Sequence, residues 1–157
     1  MKSVYLGLGS NIAAHVNLPH GVRLLAARLT LVRISHAWQT PAEGGDGPSF
    51  LNAAAHILTS LDAHTLKWEV LRPIETALGR VRSADKFAPR PLDLDIILYD
   101  GQILDDTLWQ SPHLAVPLAE LLPDLTHPVR REKLADVARR LMPPIDFFIR
   151  QDITWEA

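Results

Sequence analysis

The chain has 157 residues, of which 47% are hydrophobic, and its formal net charge is −2. This length and apolar content predict a single domain over residues 1–157 with its own hydrophobic core. The absence of cysteine excludes disulfides, thiolate metal sites and a cysteine nucleophile. The slight negative charge argues against a nucleic-acid partner, which usually requires a basic excess. No stretch resembles a signal peptide or a membrane span, so we expect a cytoplasmic protein without a membrane partner.

The first third of the chain predicts strands around one helix. Residues 3–9 are apolar and end at a glycine, which indicates a buried strand followed by a turn. Apolar residues recur at helical spacing over residues 20–31, and side chains alternate over residues 32–40, so a helix and then a strand should follow. The glycines and prolines of residues 41–48 predict a mobile surface loop, after which residues 50–59 form another strand.

The rest of the chain predicts a second helix, one long strand and smaller additions. Asp62 is a suitable N-cap for a helix to about residue 78, which Pro73 should kink. A loop then precedes a strand at residues 92–99. The remaining segments are a short hairpin strand at 101–104, helices at 116–122 and 131–141, and a final strand or packed tail at 147–149. The order predicts an α+β, ferredoxin-like βαββαβ fold, an antiparallel sheet with helices packed on it.

Two aspartates in the long strand indicate a metal site. Asp93 and Asp95 are two residues apart, so their side chains share one face while their apolar neighbours take the other. Adjacent carboxylates repel each other unless a cation lies between them, and Mg²⁺ prefers one or two carboxylates together with phosphate oxygens. Such a pair could hold two ions. The alternative is a solvated strand face, but the apolar neighbours indicate a central strand and favour the metal.

Positive charge is concentrated in the loop before this strand. The loop contains Arg80, Arg82, Lys86 and Arg90. Arginine binds phosphate oxygens in a bidentate manner, so beside two metal-binding aspartates the loop predicts a polyphosphate site. Without the aspartates, the same charges would indicate only a soluble basic loop.

Three other side chains suggest binding only in combination with these. Phe50 offers a ring face for stacking, and Asn52 offers a donor and an acceptor suited to the edge of a heterocycle. Considered alone, they would more often be a core residue and a turn cap. His113 follows the aspartate strand and could contact phosphate, although an isolated histidine is more often structural.

The segments occur in an order that resembles the 6-hydroxymethyl-7,8-dihydropterin pyrophosphokinase family of the folate pathway. The resemblance extends to Pro123, and the run Pro89-Arg90-Pro91-Leu92-Asp93-Leu94-Asp95 is its most specific part. The other markers are Leu8-Gly9-Ser10-Asn11, Thr40-Pro41, Phe50-Leu51-Asn52, Glu75, Gly79-Arg80-Val81-Arg82, Pro112-His113 and Pro117-Leu118.

The resemblance implies an ATP-dependent transferase that moves the β,γ-diphosphate to the pterin hydroxymethyl group and releases AMP. It implies that Asp93 and Asp95 hold two Mg²⁺ ions. The catalytic residues would be Arg80, Arg90 and Asp95. ATP would be bound by Glu75, Arg82, Ile96 and His113. The pterin would be bound by Thr40, Pro41, Phe50, Asn52 and Phe87. The expected partners are these two small molecules, and we expect a monomer, with a dimer left open.

The sequence departs from the family pattern after Pro112-His113. Family members usually continue with a tyrosine, a polar segment, an arginine and a phenylalanine, whereas here only three residues lead to Pro117-Leu118. The missing segment would carry a phosphate-facing arginine and the second aromatic of a pterin sandwich. Other family side chains are also replaced: an arginine by Leu108, a lysine by Ser83, a tyrosine by Phe50 and a tryptophan by Phe87.

The departure leaves two alternatives to the family activity. One is a paralogue that acts on a different reduced pterin, and the other is a noncatalytic nucleotide- or pterin-binding descendant. Trp109, Arg130 or Arg131 could replace the missing groups in space. RNA binding by aromatics on a ferredoxin-like sheet is disfavoured, because this sheet presents two aspartates instead.

Overall fold

The computed structural model describes residues 1–42 and 47–155. Its strands are β1 (Lys2–Ser10), β2 (Thr30–Ile34), β3 (Trp38–Thr40), β4 (Phe50–Thr59), β5 (Asp93–Tyr99), β6 (Gln102–Ile103) and β7 (Phe148–Ile149). They form one antiparallel sheet with the order β6-β5-β1-β4-β3-β7, and β2 also pairs with β4. Part of the predicted loop at 41–48 lies outside the described residues.

Helices cover both faces of the sheet. They are α1 (Ala14–Arg28), α2 (Ala63–Thr65), a π-helix (Leu66–Leu71), α3 (Arg72–Ala77), a 3₁₀ helix (Asp106–Trp109), α4 (Pro112–Leu121) and α5 (Leu134–Leu141). One core cluster joins Leu6 and Leu8 of β1 to buried leucines of α1 and the π-helix. A second cluster lies on the other face, where Ala54 of β4 meets residues of α4 and α5.

The element order confirms the predicted βαββαβ arrangement. The elements follow one another as β1, α1, the consecutive strands β2 and β3, β4, the helical segment from Ala63 to Ala77, and β5. Within the ranges that the structure describes, no helix has the length and apolar character needed to span a bilayer.

Several predicted element boundaries were wrong: α4 begins at Pro112 rather than at residue 116, α5 begins at Leu134 rather than at residue 131, and the two largest differences follow. Helix α1 begins at Ala14, six residues before the predicted start, because Leu18 is fully buried in the first core cluster and tertiary packing fixes this turn. The strand predicted over residues 32–40 is split in two. At the break, the Ser35 hydroxyl accepts the Ala54 N–H at 2.9 Å, and the His36 N–H turns away to Glu120 Oε2 at 2.8 Å.

The second predicted helix is capped as expected but is not a single α-helix. Asp62 accepts the Thr65 N–H at 2.7 Å, which confirms the N-cap. A π-helical segment precedes Pro73, which lies in the first turn of α3. Proline has no N–H for the carbonyl four residues earlier. That carbonyl, of Glu69, instead accepts a hydrogen bond from Arg28 Nη2 at 3.1 Å, so the irregularity is satisfied by a neighbouring helix.

Candidate active site

A cavity of about 510 Å³ opens on the sheet face that also carries α4 and α5. Nine of the thirteen side chains predicted to form the site line this single cavity. They are Thr40, Pro41, Phe50, Asn52, Phe87, Arg90, Asp93, Asp95 and His113. The fold therefore brings together predicted site residues that are up to 73 positions apart in the chain, from Thr40 to His113.

Strand β1 forms the floor between the two ends of the cavity. Gly9 pairs with Asn52 on one side and with Asp93 on the other, and Gly7 pairs with Asp95. A Cβ at Gly9 would lie 2.8 Å from Asn52 Oδ1, so a side chain there would displace Asn52. The strand predicted over residues 3–9 extends to Ser10, and its segment Gly7–Ser10 lies between the aspartates and Asn52.

A network of ion pairs connects the arginine loop to β5. Asp93 accepts a hydrogen bond from Arg80 Nη1 at 2.7 Å and lies 3.5 Å from Arg90 Nη1. The buried carboxylate of Glu75 accepts from Arg80 at 2.8 Å and from Arg82 at 2.5 Å. Arg80 and Arg82 line a second, smaller cavity that shares Lys86 and Arg90 with the first. The loop is thus held in place by the same charges that could bind phosphate.

The aspartate strand is not as central as its apolar sequence indicated. β6 pairs only with Leu98 and Tyr99, so the described part of the sheet leaves one edge of residues 93–95 without a neighbouring strand. Side chains satisfy this edge instead. Glu75 Oε2 accepts the Leu94 N–H at 2.8 Å, and Arg80 Nη1 donates to the Leu92 carbonyl at 3.2 Å. Glu75 therefore joins α3 to the strand that carries the aspartates.

The pKa values show how strongly negative charge is concentrated here. Burial together with the charges of Asp93, Glu75 and Asp105 raises the pKa of Asp95 to about 7, against the opposing charge of Arg80. Burial also raises the pKa of Glu75, and the hydrogen bond from the Leu94 N–H and the charge of Arg80 oppose this rise. Although burial opposes it, contact with Asp93 raises the pKa of Arg80. A divalent cation at Asp95 would relieve this repulsion.

Asp93 and Asp95 fit a magnesium site that is completed by a ligand. Their carboxylates lie on one face of β5 and line the same cavity. The described residues include no group of three or more His, Cys, Asp or Glu side chains arranged to hold a metal ion. Two carboxylates with phosphate oxygens are the ligand set that Mg²⁺ favours, whereas metals that need a full protein cage would not fit.

The comparisons with known proteins agree with this geometry. The profile of the family described as "7,8-dihydro-6-hydroxymethylpterin-pyrophosphokinase (HPPK)" matches residues 5–123. The chain is 42% identical to a 2-amino-4-hydroxy-6-hydroxymethyldihydropteridine pyrophosphokinase of Methylorubrum extorquens, over 80% of this chain and 85% of that protein. It is 36% identical to the protein of that name from Pseudomonas aeruginosa, over 82% and 85% of the two chains.

The chain belongs to this pyrophosphokinase family. The family and enzyme class predicted from the sequence are therefore confirmed. The ferredoxin-like fold is confirmed by a crystal structure of Plasmodium falciparum HPPK-DHPS A437G, with a TM-score of 0.70 at 11% identity. That alignment covers 88% of this chain and 45% of the solved chain.

Four predicted site residues of this pyrophosphokinase-family protein do not line the main cavity. Arg80 and Arg82 lie in the adjoining cavity, and Glu75 is buried behind them. Ile96, predicted to contact adenine, is half-buried against the first core cluster. Its contact with ATP stays a prediction.

The side chains considered as replacements for the missing family groups lie elsewhere. Trp109 is buried in the second core cluster, where its ring meets His127 edge-on with 5.0 Å between centroids. Leu108 is fully buried beside it. Arg130 and Arg131 are exposed and do not line either cavity. None of these three replacements therefore lines either cavity.

Several lining residues were not predicted. Asn11 holds the arginine loop, because its Oδ1 accepts the Arg90 N–H at 2.7 Å and its N–H donates to the Arg90 carbonyl at 3.1 Å. Asn11 belongs to the family marker Leu8-Gly9-Ser10-Asn11, so the sequence contained a motif that could have indicated its role. Pro143 and Phe147 also line the cavity, although they follow the end of the family match. No motif pointed to them.

Proposed function

We propose that this protein transfers the β,γ-diphosphate of ATP to 6-hydroxymethyl-7,8-dihydropterin. The hydroxymethyl oxygen forms a bond to the β-phosphorus, the bond between the β-phosphorus and the α,β-bridging oxygen breaks, and AMP leaves while the hydroxyl loses its proton. The single observation that supports this most strongly is one cavity with acidic and basic side chains at one end and Phe50 and Asn52 at the other. Membership of the pyrophosphokinase family supports the same reaction.

The phosphate end of the site would bind ATP. Arg80 and Arg90 present guanidinium groups beside Asp93, Arg82 pairs with Glu75, and Lys86 lines both cavities. Guanidinium groups donate to phosphate oxygens in bidentate geometry. Glu75 would hold Arg80 and Arg82 in place from beneath. His113 lines the cavity at the start of α4 and would add a phosphate contact.

Asp93 and Asp95 would hold Mg²⁺, and we propose two ions. When bound, the metal would neutralise negative charge on the triphosphate and on the β,γ-diphosphate as it is transferred. Arg80 and Arg90 pair with Asp93, and the same two guanidinium groups would donate to phosphate oxygens of ATP. Asp95, Arg80 and Arg90 would be the catalytic residues, through positioning and charge neutralisation.

The other end of the cavity would bind the pterin. Asn52 Nδ2 donates to Thr40 Oγ1 at 2.8 Å, which fixes the amide and directs its carbonyl oxygen, Oδ1, toward Gly9. A pterin edge carries both donors and acceptors, which suits this amide. Phe50 would stack on the ring, and Thr40 and Pro41 would border it. Phe87, half-exposed in the arginine loop, would cover the bound substrates and exclude water.

The direct test is to incubate the protein with ATP, Mg²⁺ and 6-hydroxymethyl-7,8-dihydropterin and to separate the nucleotides. We expect AMP in equal amounts to pterin diphosphate. ADP would indicate a simple kinase, and turnover only with another reduced pterin would indicate a paralogue. ATP binding without turnover would indicate a noncatalytic descendant.

We also propose that residues 1–157 form one domain. The C-terminal segment supports this, because Trp155 Nε1 donates to the Ser35 carbonyl at 2.9 Å and the Arg150 N–H donates to the Ala37 carbonyl at 2.9 Å. The cytoplasmic location, the monomeric state and the absence of a nucleic-acid partner stay predictions from the sequence.

A further inference from the structure

Phe147 lies at the pterin end of the cavity although it is far from every recognised motif. It belongs to the segment after α5, beyond the residues that match the family profile. Together with Pro143 it lines the cavity that contains Phe50, Thr40 and Asn52. A large aromatic side chain in this position requires an explanation, because the segment that should supply the second aromatic is missing after His113.

The strand register places Phe147 in line with Phe50. β7 pairs with β3 so that Phe148 faces Gln39 and Ile149 faces Trp38. Continued by one residue, the same register puts Phe147 opposite Thr40, and Thr40 itself pairs with Phe50. Residues directly opposite each other on neighbouring strands point to the same face of a sheet. Phe50, Thr40 and Phe147 therefore form one row on the cavity face.

The spacing of this row suits a planar ring between two aromatic side chains. Neighbouring strands are about 4.8 Å apart, so Phe50 and Phe147 are separated by about 10 Å of backbone. A planar heterocycle in contact with a ring on each side needs about 7–8 Å between the two outer rings. Thr40, a buried residue with a short side chain, lies between them and lines the same cavity. Its hydroxyl holds Asn52, which would meet the edge of the ring.

The ring of Phe147 is supported from behind. It packs on Trp38 with 5.8 Å between centroids, and its cluster includes Val116 of α4 and Ala138 of α5. Phe147 has only 9% of its surface exposed, and it lines the cavity. Helix α4 runs without a break from Pro112 to Leu121, so the chain has no loop between His113 and Pro117 that could carry an aromatic side chain.

We infer that Phe147 forms the second aromatic wall of the pterin subsite and sandwiches the pterin ring with Phe50. This inference rests on the proposed function, since it assigns a specificity residue within the same site. A residue from the C-terminal segment would then complete a site whose other parts come from the matched region.

The test is pterin affinity in Phe147 variants, measured by calorimetry with an ATP analogue whose α,β-bridge cannot be cleaved. We expect Phe147→Ala and Phe147→Leu to weaken pterin binding about 10-fold or more, since stacking of a base on an aromatic ring is worth roughly 1–3 kcal/mol. Phe147→Tyr should restore binding, and affinity for the ATP analogue alone should change less than about 2-fold, because Phe147 is at the other end of the cavity.

Phe148→Ala is the matched control. Phe148 is the next residue and the first of β7, it is 45% exposed, and by strand alternation its side chain points away from the face of Phe147. It should leave pterin affinity unchanged. Phe147→Leu keeps apolar packing against Trp38, so wild-type pterin affinity in this variant would overturn the inference and make Phe147 a core residue only.

The outcomes separate this inference from the proposed function. Pterin binding that is weakened by Phe147→Leu in a protein that transfers no diphosphate would overturn the proposed activity and support the inference. Diphosphate transfer with wild-type pterin affinity in Phe147→Leu would do the reverse. Wild-type protein that does not bind the pterin would overturn both.

Discussion

The two ends of the cavity are built in different ways. The phosphate end is formed by ion pairs between a loop and a strand edge, with Arg80, Arg82 and Arg90 around Asp93 and Glu75. The pterin end is formed by side chains that lie opposite one another on β4, on β3 and just before β7. A buried hydrogen bond joins Asn52 to Thr40. The phosphate end is charged, and most of its basic residues lie in a loop. The pterin end is largely apolar, and its residues lie on or beside strands of the sheet.

The difference suits the two ligands. A flexible, highly charged triphosphate can be bound by long side chains that exchange one ion pair for another. A rigid, planar ring needs walls and a hydrogen-bonding edge held at fixed distances. We therefore expect changes at the phosphate end to lower the rate of transfer and changes at the pterin end to lower pterin affinity. The predictions below test this separation.

The largest expected effect is on the rate, from Asp95. We predict that Asp95→Ala lowers kcat by at least about 1,000-fold, since losing one group that stabilises developing charge costs about 100- to 1,000-fold and the metal site would be lost with it. Pterin affinity in the absence of nucleotide should stay within about 2-fold. Steady-state kinetics and calorimetry measure the two quantities.

The control for this change is Asp100→Asn, in the exposed turn after the same strand. Asparagine tolerates the left-handed conformation of Asp100, so the variant should keep full activity. Full turnover by Asp95→Ala would remove the basis for placing metal and phosphate at this end.

The next largest effect is expected from Arg80. We predict that Arg80→Ala lowers kcat about 100-fold, because it removes a phosphate contact and leaves Glu75 and Asp93 with less compensation for their charges. Arg82→Ala should cost less, about 10-fold, because the Arg82 side chain is 46% exposed and contacts only Glu75 among these acids. Equal losses in the two variants would contradict the structural difference between them.

A smaller effect is expected at the pterin end from Gly9. A Cβ on Gly9 would come within 2.8 Å of Asn52 Oδ1, so Gly9→Ala should displace the amide and weaken pterin binding about 10-fold, roughly the loss of one well-made hydrogen bond. Affinity for ATP should change little. Lys2→Ala, at the exposed start of β1, is the control and should leave pterin affinity unchanged. An effect of Gly9→Ala on kcat alone would break the separation between the ends.

The phosphate end could be predicted from the sequence because its parts lie close together in the chain. Arg80, Arg82, Arg90, Asp93 and Asp95 fall within one continuous segment, and alternation along a strand puts both acids on one face. What the sequence did not show was the open strand edge. Apolar neighbours indicated a central strand, whereas the edge is satisfied by Glu75, a side chain from another element.

The pterin end was predictable only in part. The resemblance supplied Phe50 and Asn52, but Phe147 is almost 100 residues from either of them and reaches the site through the pairing of two short strands. Short strands at a sheet edge leave little periodicity in the sequence. The predicted start of α1 and the prediction of one unbroken strand over residues 32–40 were wrong for a similar reason. Distant contacts of Leu18 and Glu120 determine where α1 begins and where the strand breaks.

The smallest expected effect concerns stability and its dependence on pH. The pKa of Asp95 is raised to about 7, above the ordinary value of 3.8 for the unfolded chain. Between these values the folded protein binds a proton that the unfolded chain does not, so the free energy of unfolding falls as the pH rises. The contribution is lost as the pH approaches 7 and is absent above it. Asp95→Asn, which cannot ionise, should remove this dependence.

We therefore predict that, without nucleotide and metal, Asp95→Asn is more stable than wild type at pH 8 and that the difference shrinks toward pH 4. The gain should not exceed about 1 kcal/mol, since Asp95 is partly open to solvent and its repulsion is screened. Thermal unfolding at several pH values measures it. A difference independent of pH would mean that Asp95 does not carry the excess charge of the cavity. A difference that grows with pH would show that the acids gathered at the phosphate end lower the stability of the protein without its ligands.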